Sequence, residues 1–149
     1  MEADIRSLEV NPAKLATLFK KQFDLCNVKP EETVAIVSDL GTRREYIQAA
    51  FAAADEIGAD IYEMCVNLVP GWTRVGVPTI GKCKGTLEAL MASDMILIFH
   101  VPLFSSWLRT VMDNKIRVQM VIDAPDDLEQ LQSPPGLKEA AIYAHKLYE

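Results

Sequence analysis

Short apolar segments alternate with segments of helical periodicity along most of the chain. We expect strands at residues 33–38, 60–66, 94–101 and 115–122. The first and third of these are apolar at nearly every position, which is typical of parallel strands buried on both faces. This alternation predicts a three-layer α/β domain, Rossmann-like or flavodoxin-like, with a parallel sheet of about four strands.

The helical segments have recognisable start and stop signals. We expect helices at residues 12–26, 44–57, 84–93, 104–112, 125–131 and 137–148. Asn11 followed by Pro12 is a favourable helix start, and Gly58 is a suitable C-cap for the second helix. The spacing in that second helix places Phe51 on its apolar face together with Ile47. Residues 67–81 contain two prolines and three glycines, which disfavours a long helix there.

The 149 residues suit one α/β domain. The chain ends directly after a predicted helix, where a doubly wound pattern would continue with a strand. We therefore expect residues 1–149 to be a single domain that forms the N-terminal part of a longer, two-domain protein.

Charge and composition exclude several classes of function. A formal net charge of −6 disfavours binding to nucleic acid. The longest apolar runs fall short of the roughly 20 residues that a membrane helix needs, and the first ten residues do not resemble a secretory signal. The three cysteines form no CxxC pair; we expect reduced, buried thiols and a cytoplasmic protein. With two histidines as well, the chain has too few ligands for a convincing metal cage of its own.

Ligands of open parallel sheets bind beyond the carboxyl ends of the strands, where the strand order reverses. If the first strand lies between the second and third, the loops at residues 38–44 and 101–107 line that crevice. In the first loop we select Ser38, Asp39 and Arg43, because backbone N–H groups and arginines there suit an anion. The alternative is structural: Thr42 caps the next helix, and Asp39 pairs with Arg43 or Arg44.

The second loop contains aromatic and hydroxyl side chains. Phe104, Ser105 and Trp107 suit an aromatic substrate pocket, or alternatively core packing with a serine as helix cap. His100 ends an apolar strand and is either a site residue or a hydrogen-bonded structural histidine.

The loops match neither GxGxxG nor GxxxxGK[ST]. Neither serine lies in a GxSxG turn, which makes a serine hydrolase a poor candidate.

Three segments resemble the N-terminal domain of the 2,5-dihydroxypyridine 5,6-dioxygenases, within a wider group that includes the aminopeptidase T-like metallopeptidases. They are LATLFKKQFDLCNVKPEETVAIVSDLGTRREYIQAAFAAADEIGADIYEM, LEALMASDMILI and FSSWLRTVMDNKIRV. The resemblance implies a small aromatic substrate, O₂, and one Fe(II) held by two histidines and a carboxylate in a C-terminal half without counterpart here. It also implies that this domain contributes to the substrate cleft and to oligomer contacts. In the family, a histidine approaches the substrate where this chain has Phe104.

Two other functions remain open at this point. The same resemblance allows the N-terminal domain of an aminopeptidase T-like metallopeptidase, whose two-metal site would again lie outside this chain. The residues themselves also allow a Rossmann-like binding or interaction module without chemistry of its own. As partners we expect a homo-oligomer or association with the metal-binding half.

Overall fold

The computed structural model describes residues 11–67, 79–100, 102 and 105–122. Helix α1 spans Pro12–Leu25, followed by strand β1 at Thr33–Asp39, helix α2 at Arg44–Ile57 and strand β2 at Asp60–Val66. A short turn, α3, at Thr79–Lys82 precedes helix α4 at Thr86–Met91 and strand β3 at Met95–Ile98. Helix α5 at Ser106–Asp113 and strand β4 at Arg117–Met120 complete the described elements. None of the helices described is long and apolar enough to span a membrane.

The four strands form one sheet in the order β2-β1-β3-β4, and every neighbouring pair is parallel. Val37 of β1 lies opposite Met64 of β2 and Ile98 of β3, so the three strands end close to one line. The predicted α/β class is confirmed. Because β1 lies between β2 and β3, the strand order reverses between β1 and β3.

Helices cover both faces of this sheet. Val34 and Ile36 of β1 point into an apolar cluster with α1 and α2, while Ala35 and Val37 point into a second cluster with α4 and α5. The first cluster contains three aromatic rings, Phe19, Tyr46 and Phe99, with centroids 5.5–5.9 Å apart. The alternation of side chains along a strand thus produces the three layers.

Two predicted helix ends are confirmed. The Oδ1 atom of Asn11 accepts hydrogen bonds from the backbone N–H groups of Ala13 and Lys14, at 3.0 and 3.3 Å, and Pro12 is the first helical residue. Gly58 ends α2 with φ at 87°, a left-handed conformation that glycine adopts without the steric cost of a Cβ atom.

Phe51 contradicts the predicted apolar face of α2, because it is 39 % exposed while Ala49 and Ala53 are buried. One residue turns an α-helix by about 100°. The buried stripe of α2 is centred near Ala50, so Phe51 lies at its solvent edge rather than towards the sheet.

Several helices and strands are shorter than predicted. Strands expected at 94–101 and 115–122 occupy Met95–Ile98 and Arg117–Met120, and the helix expected at 84–93 occupies Thr86–Met91. The helix expected at 104–112 occupies Ser106–Asp113. The helices predicted at 125–131 and 137–148 lie outside the described residues.

The prediction of three buried cysteines is wrong for two of them. Cys65 and Cys83 are exposed, because Cys65 lies on β2, at one edge of the sheet, and Cys83 lies in the turn before α4. Cys26 is half-buried and donates its thiol proton to Oε1 of Gln119 at 3.1 Å. Burial raises the pKa of the Cys26 thiol to about 11, with the charge of Arg117 opposing the shift.

Arg117 of β4 joins the sheet to the loop between α1 and β1. Its Nη1 donates to the carbonyl oxygens of Cys26 and Asn27, at 2.7 and 2.6 Å, and its Nη2 donates to Oε2 of Glu32 at 2.6 Å. Burial alone would raise the pKa of Glu32, but the hydrogen bonds from Arg117 and the Lys29 N–H outweigh it and lower that pKa.

Phe19→Ala should cost about 3–5 kcal/mol of unfolding free energy, since it removes a fully buried ring from the aromatic trio. Phe51→Ala is the matched control and should cost about 1 kcal/mol or less. Urea denaturation measures both. Equal losses would contradict the assignment of Phe19 to the core and Phe51 to the surface.

Arg117→Met should lower stability by about 1–3 kcal/mol at pH 7, a range that allows for solvent screening of a partly exposed pair. The folded-state pKa of Glu32 lies below its ordinary value of 4.5. Its pairing therefore stabilises the fold above pH 4.5, and this contribution is lost as the pH falls further.

The difference in unfolding free energy between wild type and Arg117→Met, measured by urea titration, should consequently shrink below pH 4.5. Lys20→Met breaks the 2.8 Å pair with Glu56, whose two side chains are both exposed, and serves as the control. A larger loss from Lys20→Met than from Arg117→Met would contradict this account.

Candidate functional site

The carboxyl ends of β1 and β3 lie side by side at the reversal of strand order. The backbone N–H of Phe99 donates to the carbonyl of Val37 at 3.1 Å, which continues the pairing one residue beyond β3. Asp39 ends β1, and His100 follows β3 by two residues. The first predicted loop and His100, which precedes the second predicted loop, therefore lie at the same edge of the sheet, and β1 lies between β2 and β3 as that prediction required.

The turn after β1 is closed by its own hydrogen bonds. Oδ1 of Asp39 accepts from the N–H of Gly41 at 2.9 Å and from the hydroxyl of Thr42 at 3.2 Å. The N–H of Thr42 donates to the Asp39 carbonyl at 3.1 Å, and the Asp39 N–H donates to Oγ1 of Thr42 at 3.0 Å. Leu40 at the tip of this turn is 75 % exposed. These hydrogen bonds thus fix the backbone of the turn, and the turn exposes an apolar side chain to solvent.

These contacts change the interpretation of the first loop. The sequence suggested that backbone N–H groups of this loop could hold an anion, but those of Gly41 and Thr42 already donate to Asp39. The structural alternative is also wrong in part. Arg43, not Thr42, occupies the N-cap position of α2, and Arg44 binds Glu63. Arg43 is exposed at the start of that helix.

Ser38 belongs to a polar chain that reaches β2. The fully buried Ser38 hydroxyl donates to Oε1 of Glu63 at 2.5 Å. Arg44 binds the same carboxylate with two hydrogen bonds, Nη1–Oε1 at 2.6 Å and Nη2–Oε2 at 3.0 Å. The Arg44 guanidinium holds the pKa of the Glu63 carboxyl below its usual range, against the opposing effect of burial and with help from Ser38.

Sequence reasoning missed Glu63. A signal for it exists, since Glu63 is an acidic residue in the middle of the strand segment DIYEMCV. The register sets Glu63 opposite Ile36, two residues before Ser38. The chain Ser38–Glu63–Arg44 thus connects the end of β1, strand β2 and the start of α2.

His100 and Trp107 are buried side chains that carry polar nitrogen atoms. His100 is 7 % exposed and Trp107 is 3 % exposed. Within the part of the chain that the structure describes, no hydrogen-bond partner is found for Nδ1 or Nε2 of His100, or for Nε1 of Trp107. Burial lowers the pKa of His100, and the charge of Asp39 opposes that shift. The imidazole is therefore neutral at pH 7.

The second loop is described only in part. Ser105 is buried at the N-cap position of α5, and its N–H donates to the Pro102 carbonyl at 3.1 Å. Phe104 lies outside the described residues. Trp107 packs in the second apolar cluster with Val37 and Ile98. Trp107 of α5 thus packs close to the ends of β1 and β3.

A metal cage is not found in this part of the molecule. Within residues 11–67, 79–100, 102 and 105–122, no three His, Cys, Asp or Glu side chains are grouped as metal ligands. The described residues therefore do not fit an iron ion with a three-ligand protein set.

Comparisons with known proteins agree with this fold. The chain has the fold of 2,5-dihydroxypyridine dioxygenase from Pseudomonas putida KT2440, with a TM-score of 0.73 and 18% sequence identity. The match covers 85% of this chain but 39% of that one, of which it is the N-terminal part. A complex of VinN with L-aspartate aligns over 87% of this chain and 30% of that chain, at 17% identity and a TM-score of 0.49. A search of curated proteins finds no match.

The family comparison extends over most of the chain. The sequence pattern of NicX, 2,5-dihydroxypyridine 5,6-dioxygenase, matches residues 14–149. This range includes both loops at the reversal of strand order, and it agrees with the fold shared with the Pseudomonas putida enzyme. The chain therefore belongs to the 2,5-dihydroxypyridine 5,6-dioxygenase family.

Proposed function

We propose that this domain forms one wall of the substrate cleft in a ring-cleaving dioxygenase. Its substrate would be a hydroxylated N-heteroaromatic ring such as 2,5-dihydroxypyridine, opened with O₂. The main support, beside family membership, is that His100 and Trp107, near the reversal of strand order, have buried nitrogens without a partner among the described residues. Such groups are rare in native proteins and are typical of sites that hold a ligand.

The iron belongs to another part of the enzyme in this proposal. When bound, Fe(II) activates O₂, with two histidines and a carboxylate as its typical protein ligands. The described residues supply no such set, and the chain covers 39% of the Pseudomonas putida dioxygenase. We therefore propose that residues 1–149 are the N-terminal domain of a two-domain protein whose second domain binds the metal.

Residues from both loops would contribute to binding the ring. His100 and Trp107 would hydrogen-bond the substrate, with Phe104 and Ser105 completing that wall. The closed turn after Asp39 would present Leu40 to the face of the ring. Ser38 would act from behind the cleft, since its hydroxyl donates to Glu63 and anchors the end of β1. Arg43, exposed at the start of α2, would lie at the rim of the cleft.

Association with a further domain or a second copy is part of the proposal. Among the strands described, β4 is an edge strand, and the large apolar side chains of Met120 and Ile122 are exposed there. An exposed apolar edge is a suitable surface for packing against the metal-binding half or a second subunit.

The proposed activity is tested by O₂ uptake on 2,5-dihydroxypyridine with the intact protein loaded with Fe(II). We expect uptake of one O₂ per ring consumed, abolished by removal of iron and restored by its return. Iron-loaded protein that consumes neither O₂ nor the ring, or that hydrolyses aminoacyl substrates instead, would contradict the proposal.

Leu40→Ala should raise KM for the ring about three- to tenfold, because burial of a leucine side chain against a ligand is worth about 1 kcal/mol or more. Stability should change little, since Leu40 contacts solvent in the free domain. Phe51→Ala, another exposed apolar truncation, is the control and should leave KM unchanged. A Leu40→Ala enzyme with the KM of wild type would show that this turn does not line the cleft.

A further inference from the structure

His100 and Trp107 impose a specific hydrogen-bonding requirement on whatever fills the cleft. A neutral imidazole has one nitrogen that donates and one that accepts, whereas an indole N–H only donates. The complementary ligand must offer one donor and enough acceptor lone pairs for two N–H groups. An apolar ring without such groups would leave all three nitrogens unpaired.

The surroundings of His100 favour a neutral ligand over an acidic one. Asp39 places a negative charge close enough to act on His100. Arg44 is held by two hydrogen bonds to Glu63. A carboxylate on the ring would therefore meet a like charge beside His100, and it would supply no donor for the accepting nitrogen of the imidazole.

The positions of the two side chains bring them to the same region. His100 follows Ile98 by two residues, and Trp107 packs in one apolar cluster with Ile98 and Val37. The Ser105 N–H, two residues before Trp107, donates to the carbonyl of Pro102, two residues after His100. Both side chains thus lie near the carboxyl end of β3.

We propose that His100 and Trp107 form a subsite for the lactam edge of the substrate, the ring N–H and adjacent C=O of a hydroxypyridine in its pyridone form. The ring N–H donates to the accepting nitrogen of His100. The carbonyl oxygen accepts from the Trp107 Nε1–H, because the two nitrogens of one imidazole point in divergent directions and a single lactam edge reaches only one of them. This inference rests on the proposed function and specifies how the enzyme distinguishes a hydroxypyridine from a carbocyclic phenol.

The test is ligand binding to the intact, iron-loaded protein without O₂, so that turnover plays no part. The ligands are 2,5-dihydroxypyridine and 5-hydroxy-1-methyl-2-pyridone, which keeps the carbonyl but lacks the N–H donor. Wild type should bind the parent at least about tenfold more tightly, because a site built around a hydrogen bond rejects an analogue that leaves its acceptor unpaired. Similar dissociation constants for the two ligands would overturn the proposal.

Two variants separate the roles of the side chains. His100→Leu should weaken binding of the parent about tenfold and remove the preference over the N-methyl analogue. Trp107→Phe keeps most of the buried ring and removes the N–H, so it should weaken both ligands equally and keep the preference. A His100→Leu protein that still prefers the parent would contradict the subsite.

Thermal unfolding of the free protein distinguishes a binding role from a structural one. Because both His100 nitrogens lack partners among the described residues, His100→Leu should leave Tm unchanged or raise it. A marked fall in Tm would show that His100 is hydrogen-bonded in the free protein and would overturn the proposal. Failure of ring cleavage by wild type, in contrast, would reject the proposed function, while the anaerobic binding result decides the subsite.

Discussion

Complete burial of β1 determines the arrangement of everything around it. Residues Val34 to Val37 are all inaccessible to solvent, with strands on both sides and helices on both faces. A strand with no contact to water has to be apolar throughout, and it has to end where polar groups find partners. The change from apolar to polar at Ser38 and Asp39 therefore marks the end of the central strand and, in our proposal, the edge of the cleft.

The polar groups at this end of the sheet differ in how they are satisfied. Ser38, Glu63 and Arg44 bond one another, and Asp39 closes its own turn. These groups fix the backbone on the β1 side. On the β3 side, His100 and Trp107 are buried, yet their nitrogens find no partners in the described ranges. The polar groups on the β1 side are thus paired with one another, whereas those on the β3 side are the ones that we propose for a ligand.

The sequence predicted the layer architecture, because it follows from local patterns, whereas the location of a substrate cleft is still a proposal. The periodicities of two and 3.6 residues identify strands and helices, and parallel topology places the loops after β1 and β3 at one edge. Local signals also identified the Asn11 cap and the Gly58 terminus. Pairings between distant segments were missed. Neither the Arg44–Glu63 pair nor the anchoring of Arg117 at Cys26 is visible without the register that brings those residues together.

In our proposal, His100, after β3, and Trp107, on α5, receive the ring of the substrate with nitrogens that have no partner among the described residues. A crystal structure of the intact protein with 2,5-dihydroxypyridine, grown without O₂, tests it most directly. We expect a His100 nitrogen and Nε1 of Trp107 to lie about 2.7–3.2 Å from polar atoms of the ring. A ring bound elsewhere, with those nitrogens bonded to protein groups, would contradict the account.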